Sequence, residues 1–81
     1  MSFAAIMRTI DEELRSKIEN KKEAQDQLVK LRRYIEGVYS RVRVTPEQLA
    51  LYSLSLLMEG RDVAWILNRS DSYWKKKLGA G

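Results

Sequence analysis

An all-α fold is predicted by three features of the chain. Apolar residues recur at helical spacing from Met7 to Val42. Pro46 to Met58 is almost wholly apolar and is bounded by helix-start and helix-stop residues. Only Val38–Val44 alternates like a strand, and no second segment offers it a partner, so its backbone would go unpaired. The expected architecture is a long N-terminal amphipathic helix of coiled-coil type, a buried central helix and a short C-terminal helix pair. These form one helical domain, with residues 2–43 as a helical arm and 45–79 as the compact part.

In chain order, Phe3 to Met7 form a short apolar lead-in. Thr9 and Glu12 have capping-box spacing, although they suit an interior turn of a helix begun near Ser2 equally well. Met7, Leu14, Lys21, Leu28, Ile35 and Val42 fall seven apart. Ile10, Lys17, Ala24, Leu31 and Val38 fill the complementary positions, giving a heptad stripe with a charged middle at Lys17 and Lys21. Acid–base pairs four apart, such as Asp11–Arg15 and Glu13–Lys17, support an exposed helix face. The stripe suits either the seam of a coiled coil between copies or one wall of an intramolecular hairpin. Met7, Ile10, Leu14, Leu28, Leu31 and Ile35 are the candidate oligomer or partner interface. The helix is expected to end in a short extended connector over Val38–Val44.

Thr45-Pro46-Glu47-Gln48 predicts the clearest helix start in the chain. Thr45 is the N-cap, Pro46 the first helical residue and Gln48 the reciprocal member of a capping box. Val44 and Leu49 are spaced as a hydrophobic staple, and Gly60 suits a left-handed stop. Between Leu49 and Met58 only Ser53 and Ser55 interrupt the apolar run, so other elements are expected to wrap this helix. The run is too short for a membrane span, which needs roughly 20 apolar residues. Asp62 and Ser70 then cap two short helices, the second stopped by Gly79.

With 81 residues, no cysteine and no histidine, disulfides and the common zinc sites are excluded. The commonest general base and the strongest nucleophile are missing too, so a non-enzymatic role without metal or cofactor is expected. No basic patch precedes a long apolar run at the N-terminus, so no signal peptide is expected, and a cytoplasmic setting fits. The formal charge of +4 is mild, but its distribution is uneven. Lys30, Arg32, Arg33, Arg41 and Arg43 face Glu36 alone; Arg69, Lys75, Lys76 and Lys77 face Asp71. Two basic blocks flanking the apolar helix are a candidate phosphate footprint, or else a solvated helix face.

Gly60–Leu78, GRDVAWILNRSDSYWKKKL, resembles the helix-turn-helix of DNA-binding proteins. Val63, Ala64 and Leu67 stand where that family's first helix carries an apolar residue, a small residue at the helix crossing and a leucine. Asn68, Arg69 and Ser70 stand at the turn; Trp74 and Leu78 match the anchors of the recognition helix. Asn68 replaces the usual glycine, Arg69 a buried aliphatic, and Asp71 sets a negative charge beside the reader. The resemblance implies DNA contacts from Arg69, Ser70, Ser72, Tyr73, Lys75, Lys76 and Lys77, with Arg41 and Arg43 supplementing from the connector. Small size, an oligomerisation arm and a short reader suit a phage-type regulator or packaging subunit. The alternative is a helical protein-interaction module, an adaptor, chaperone or inhibitor, docking through its long helix or its C-terminal aromatics. Trp65, Tyr73 and Trp74 fit core or interface equally. The expected partners are thus DNA, a second copy or a helical protein, and no membrane.

Overall fold

The structure, a computed structural model, describes residues 1–79. These hold five helices and no strand: α1 (Phe3–Lys17), α2 (Lys21–Val38), α3 (Pro46–Met58), α4 (Val63–Leu67) and α5 (Asp71–Leu78). Every helix start is capped by a side chain. Ser2, Asn20, Thr45, Asp62 and Ser70 each accept a hydrogen bond from a backbone N–H three residues on. At Thr45 the box is reciprocal, since the Thr45 N–H donates to Gln48 Oε1 at 2.9 Å.

The expected long N-terminal helix is two helices. The chain leaves helical geometry at Ile18 (φ −111°, ψ 114°) and re-enters after Asn20, whose Oδ1 accepts from Glu23 N–H at 2.9 Å. The charged middle of the heptad stripe supplies the reason. Lys17 and Lys21 occupy seam positions where a continuous helix would bury them; the break leaves both exposed. Lys17 then bridges to Glu13 at 3.2 Å and donates to the carbonyl of Leu57, in the last turn of α3, where the helix dipole favours a cation.

Folding α1 back on α2 consumes the stripe within one chain. Met7, Ile10, Leu14, Leu31 and Ile35 are buried, and Leu28 packs against the same cluster. The six residues expected at an oligomer seam are therefore core of the monomer. They meet Leu49, Ala50, Leu54 and Leu57 of α3, with Val63, Ile66 and Trp74 closing the far end. α1 lies against both α2 and α3, and α4 touches α2 and α3.

The connector after α2 is a coiled turn rather than an extended segment. Val42, Arg43 and Val44 N–H donate to Val38, Ser40 and Tyr39 carbonyls, so the backbone is paired locally. This winding buries Val42 completely and puts Arg43 in the left-handed region at φ 59°. At the end of α3, Gly60 takes φ 102° and Arg61 N–H reaches the Leu56 carbonyl at 2.9 Å, the left-handed stop expected there.

α3 is not wrapped on every side. Leu51 is 50% exposed and Met58 66%, leaving an apolar stripe open to solvent. No helix among the described residues is long and apolar enough to cross a membrane.

Candidate nucleic-acid interface

The C-terminal corner is organised by Trp74. Its ring is wholly buried, and Nε1 donates to Tyr34 Oη at 2.6 Å. Tyr34 in turn donates to the Arg69 carbonyl at 3.0 Å, so one phenol of α2 holds both the start and the middle of the C-terminal turn and helix. Burial, chiefly, raises the Tyr34 pKa above the ordinary phenol value, which keeps the hydroxyl protonated as a donor. Tyr52 of α3 meets Trp74 edge-on with centroids 6.0 Å apart. The aromatic core role of Trp74 is thereby established, and sequence inspection had no signal for Tyr34 as its anchor.

Asp71 is tied to the connector. Arg41 Nε and Nη2 donate to its two carboxylate oxygens at 2.9 and 3.1 Å, a bidentate fork, while Nη1 reaches the Gly37 carbonyl at 2.9 Å. These hydrogen bonds lower the Asp71 pKa and raise that of Arg41. The negative charge beside the expected reader is thus neutralised within the chain, and the same pairing takes Arg41 out of the set of free cations.

On the other side of α5 the cations stack on rings. The Arg61 guanidinium lies 4.4 Å from the Trp65 ring centre and that of Arg69 3.9 Å from the same ring. Trp65 meets Tyr73 edge-on at 5.8 Å, and Lys77 Nζ lies 5.8 Å from the Tyr73 ring. Arg69 Nε donates to the Trp65 carbonyl at 2.9 Å, and its terminal nitrogens make no side-chain hydrogen bond among the described residues. The result is a ladder of residues four apart, Arg61, Trp65, Arg69, Tyr73 and Lys77. Its three cations make no ion pair among the described residues. Burial and then the neighbouring Tyr52 hydroxyl push the Tyr73 phenol up, so it too stays neutral inside this cationic patch.

The C-terminal helix pair departs in detail from the expected helix-turn-helix pattern. Ala64, placed by the resemblance at the helix crossing, is exposed. α4 has only five residues, and Asn68 sits at φ −88°, ψ 4° rather than in the left-handed conformation of a glycine turn. The physical reason lies with Arg69. A guanidinium at the turn cannot enter the core, so it lies on Trp65, and Trp74 with Tyr34 positions α5 instead.

Of the residues expected to meet DNA, Lys75, Lys76, Lys77, Ser72 and Arg43 are exposed, while Tyr73 and Arg69 are partly buried in the ladder. Ser70 uses its hydroxyl as the α5 cap, accepting from Tyr73 N–H at 3.3 Å. Arg61 and Trp65 were not among the expected contacts. Their signal was present in the sequence as a cation–aromatic alternation every four residues, but a helix break at Asn68–Ser70 obscured it. Comparisons with protein-family models, curated proteins and solved structures find no match for this chain.

Proposed function

We propose that this protein is a small non-enzymatic nucleic-acid-binding protein that grips phosphates through its C-terminal corner. The observation that carries the reading is the ladder. Three cations without carboxylate partners are held on two aromatic rings, beside the exposed Lys75 and Lys76 of α5. Stacking fixes an arginine without satisfying all its donors, so a bidentate phosphate contact loses little side-chain freedom. Two guanidiniums on one ring also repel each other, and a bound anion relieves that repulsion.

Backbone binding suits this face better than base reading. Ser70 serves as a cap, Arg41 is engaged by Asp71, and α4 lacks the length to brace a reader against a groove. DNA is the expected ligand, bound with little sequence preference. Arg61, Arg69, Lys75, Lys76 and Lys77 would neutralise about five phosphates, giving a log–log salt slope near −4.5 on duplex DNA. Fluorescence anisotropy on random duplex across salt concentrations measures it. An Arg61→Ala/Lys77→Ala double substitution should flatten the slope by about 2 and weaken binding to all sequences alike. Absence of binding at about 50 mM salt overturns the reading. Unchanged affinity in that double variant shows that the ladder is not the face.

A protein-interaction reading rests on a different observation, the uncovered apolar stripe of α3.

A further inference from the structure

We infer that the open face of α3 is a two-fold contact between two copies of this chain, with the two α3 helices antiparallel. Leu51 and Met58 are seven residues apart on one stripe, and Glu47 begins it one turn earlier. Along the N-terminal half of the stripe, Leu78 of α5 joins Gln48, Leu51, Tyr52 and Ser55 in an apolar groove. At the C-terminal half Met58 stands out alone, the most exposed large apolar side chain after the N-terminal methionine. One face therefore carries a groove at one end and a flexible apolar knob at the other.

A two-fold axis lying in the contact plane and perpendicular to α3 exchanges those ends. Each Met58 then faces the other copy's groove, and both contacts form at once, as an isologous interface requires. Charge selects the same arrangement. Glu59 follows Tyr52 by seven residues, so it lies on the side of α3 that faces α5. The two-fold keeps that side in register and brings Glu59 toward the second copy's Lys77, which lies against the Tyr73 ring on the Tyr52 side of α5. A parallel pairing would instead set Met58 against Met58 and leave both grooves empty. No charged side chain lines the groove itself, so burying it strands no ion.

The contact area sets the strength. α3 has 13 residues, about 20 Å of helix, and a strip of that length with Leu78 falls short of the ~800 Å² per partner of a stable complex. A weak, reversible dimer is expected, with a dissociation constant of about 100 μM and no need for nucleic acid.

Sedimentation of the full chain from about 10 μM to about 1 mM, free of nucleic acid, tests this. The average mass should rise with concentration from one chain toward two and stop there. Met58→Asp should raise the dissociation constant by at least about 100-fold, because symmetry places the charge at both ends of the contact. Leu51→Lys, at another half-exposed position, should act in the same direction. Glu59→Lys should weaken association, and adding Lys77→Glu to it should restore part of the loss. Circular dichroism checks that each variant keeps its helix content. A chain that stays monomeric throughout overturns the proposal, as does growth beyond two chains or a dimer indifferent to Met58→Asp and Leu51→Lys. A charge exchange that restores nothing overturns the antiparallel arrangement.

Discussion

Arg43 shows how one residue records a constraint set elsewhere. Burying Val42 winds the connector so that Arg43 takes φ 59°, which costs an L-residue about 1–2 kcal/mol. Glycine removes that strain but adds unfolded-state freedom of about 0.4–1 kcal/mol. Arg43→Gly should therefore stabilise the fold by about 0.5–1 kcal/mol, read as a higher urea midpoint at unchanged m-value. Asp71 supplies a pH response at the same scale. Its carboxylate pKa is depressed by Arg41, so its contribution is full above the ordinary carboxylate range and is lost as pH falls through the depressed value. Both partners are half-exposed, so the effect is modest and screened by salt. A carbon-detected NMR titration of Asp71 should find its midpoint below the ordinary aspartate value, and Arg41→Ala should move it back toward the normal range.

At the scale of elements, α5 is held by aromatic contacts and one phenol more than by helix–helix crossing. Tyr34→Phe keeps the ring but leaves the indole N–H of a wholly buried Trp74 without its acceptor. The expected cost is about 1–3 kcal/mol, measured by urea denaturation followed through tryptophan fluorescence. A change below about 0.3 kcal/mol would show that the N–H finds another acceptor, so that the phenol does not anchor α5. Most helix boundaries were legible. Thr45, Pro46, Gln48 and Gly60 bracket α3 as expected, and Asp62, Ser70 and Gly79 bound the last two helices. The Asn20 cap was missed because the heptad stripe runs through it unbroken in sequence. Asn-Lys-Lys-Glu reads as solvent-facing helix unless the two lysines at seam positions are weighed as a cost.

Across the whole molecule, one cluster drawn from all five helices supplies the stability. An 81-residue chain has roughly 4–12 kcal/mol of net stability, so a single cavity is a large fraction of it. Leu31, wholly buried between α1 and the rest of the core, is the sharpest test. Leu31→Ala should cost about 2–5 kcal/mol and lower the midpoint of the same cooperative transition for far-UV dichroism and tryptophan fluorescence. Separate transitions for the two probes would show that the α1–α2 hairpin and the C-terminal corner unfold independently.

The sequence by itself determined what is local. Helix class, cap chemistry, the glycine stop after α3 and the apolar identity of the core residues follow from side chains within one or two turns of each other. Tertiary structure decided which surface each stripe meets. A heptad pattern specifies an apolar seam without saying whether its partner is another chain or the same one, and only the turn at Ile18–Asn20 sent it inward. The same holds for charge. Arg41, Arg61, Arg69 and Lys77 are equivalent cations in a sequence. Distance to Asp71 in one case, and to Trp65 and Tyr73 in the others, separates the paired from the unpaired, because Coulomb and cation–π energies fall with separations that sequence spacing does not contain.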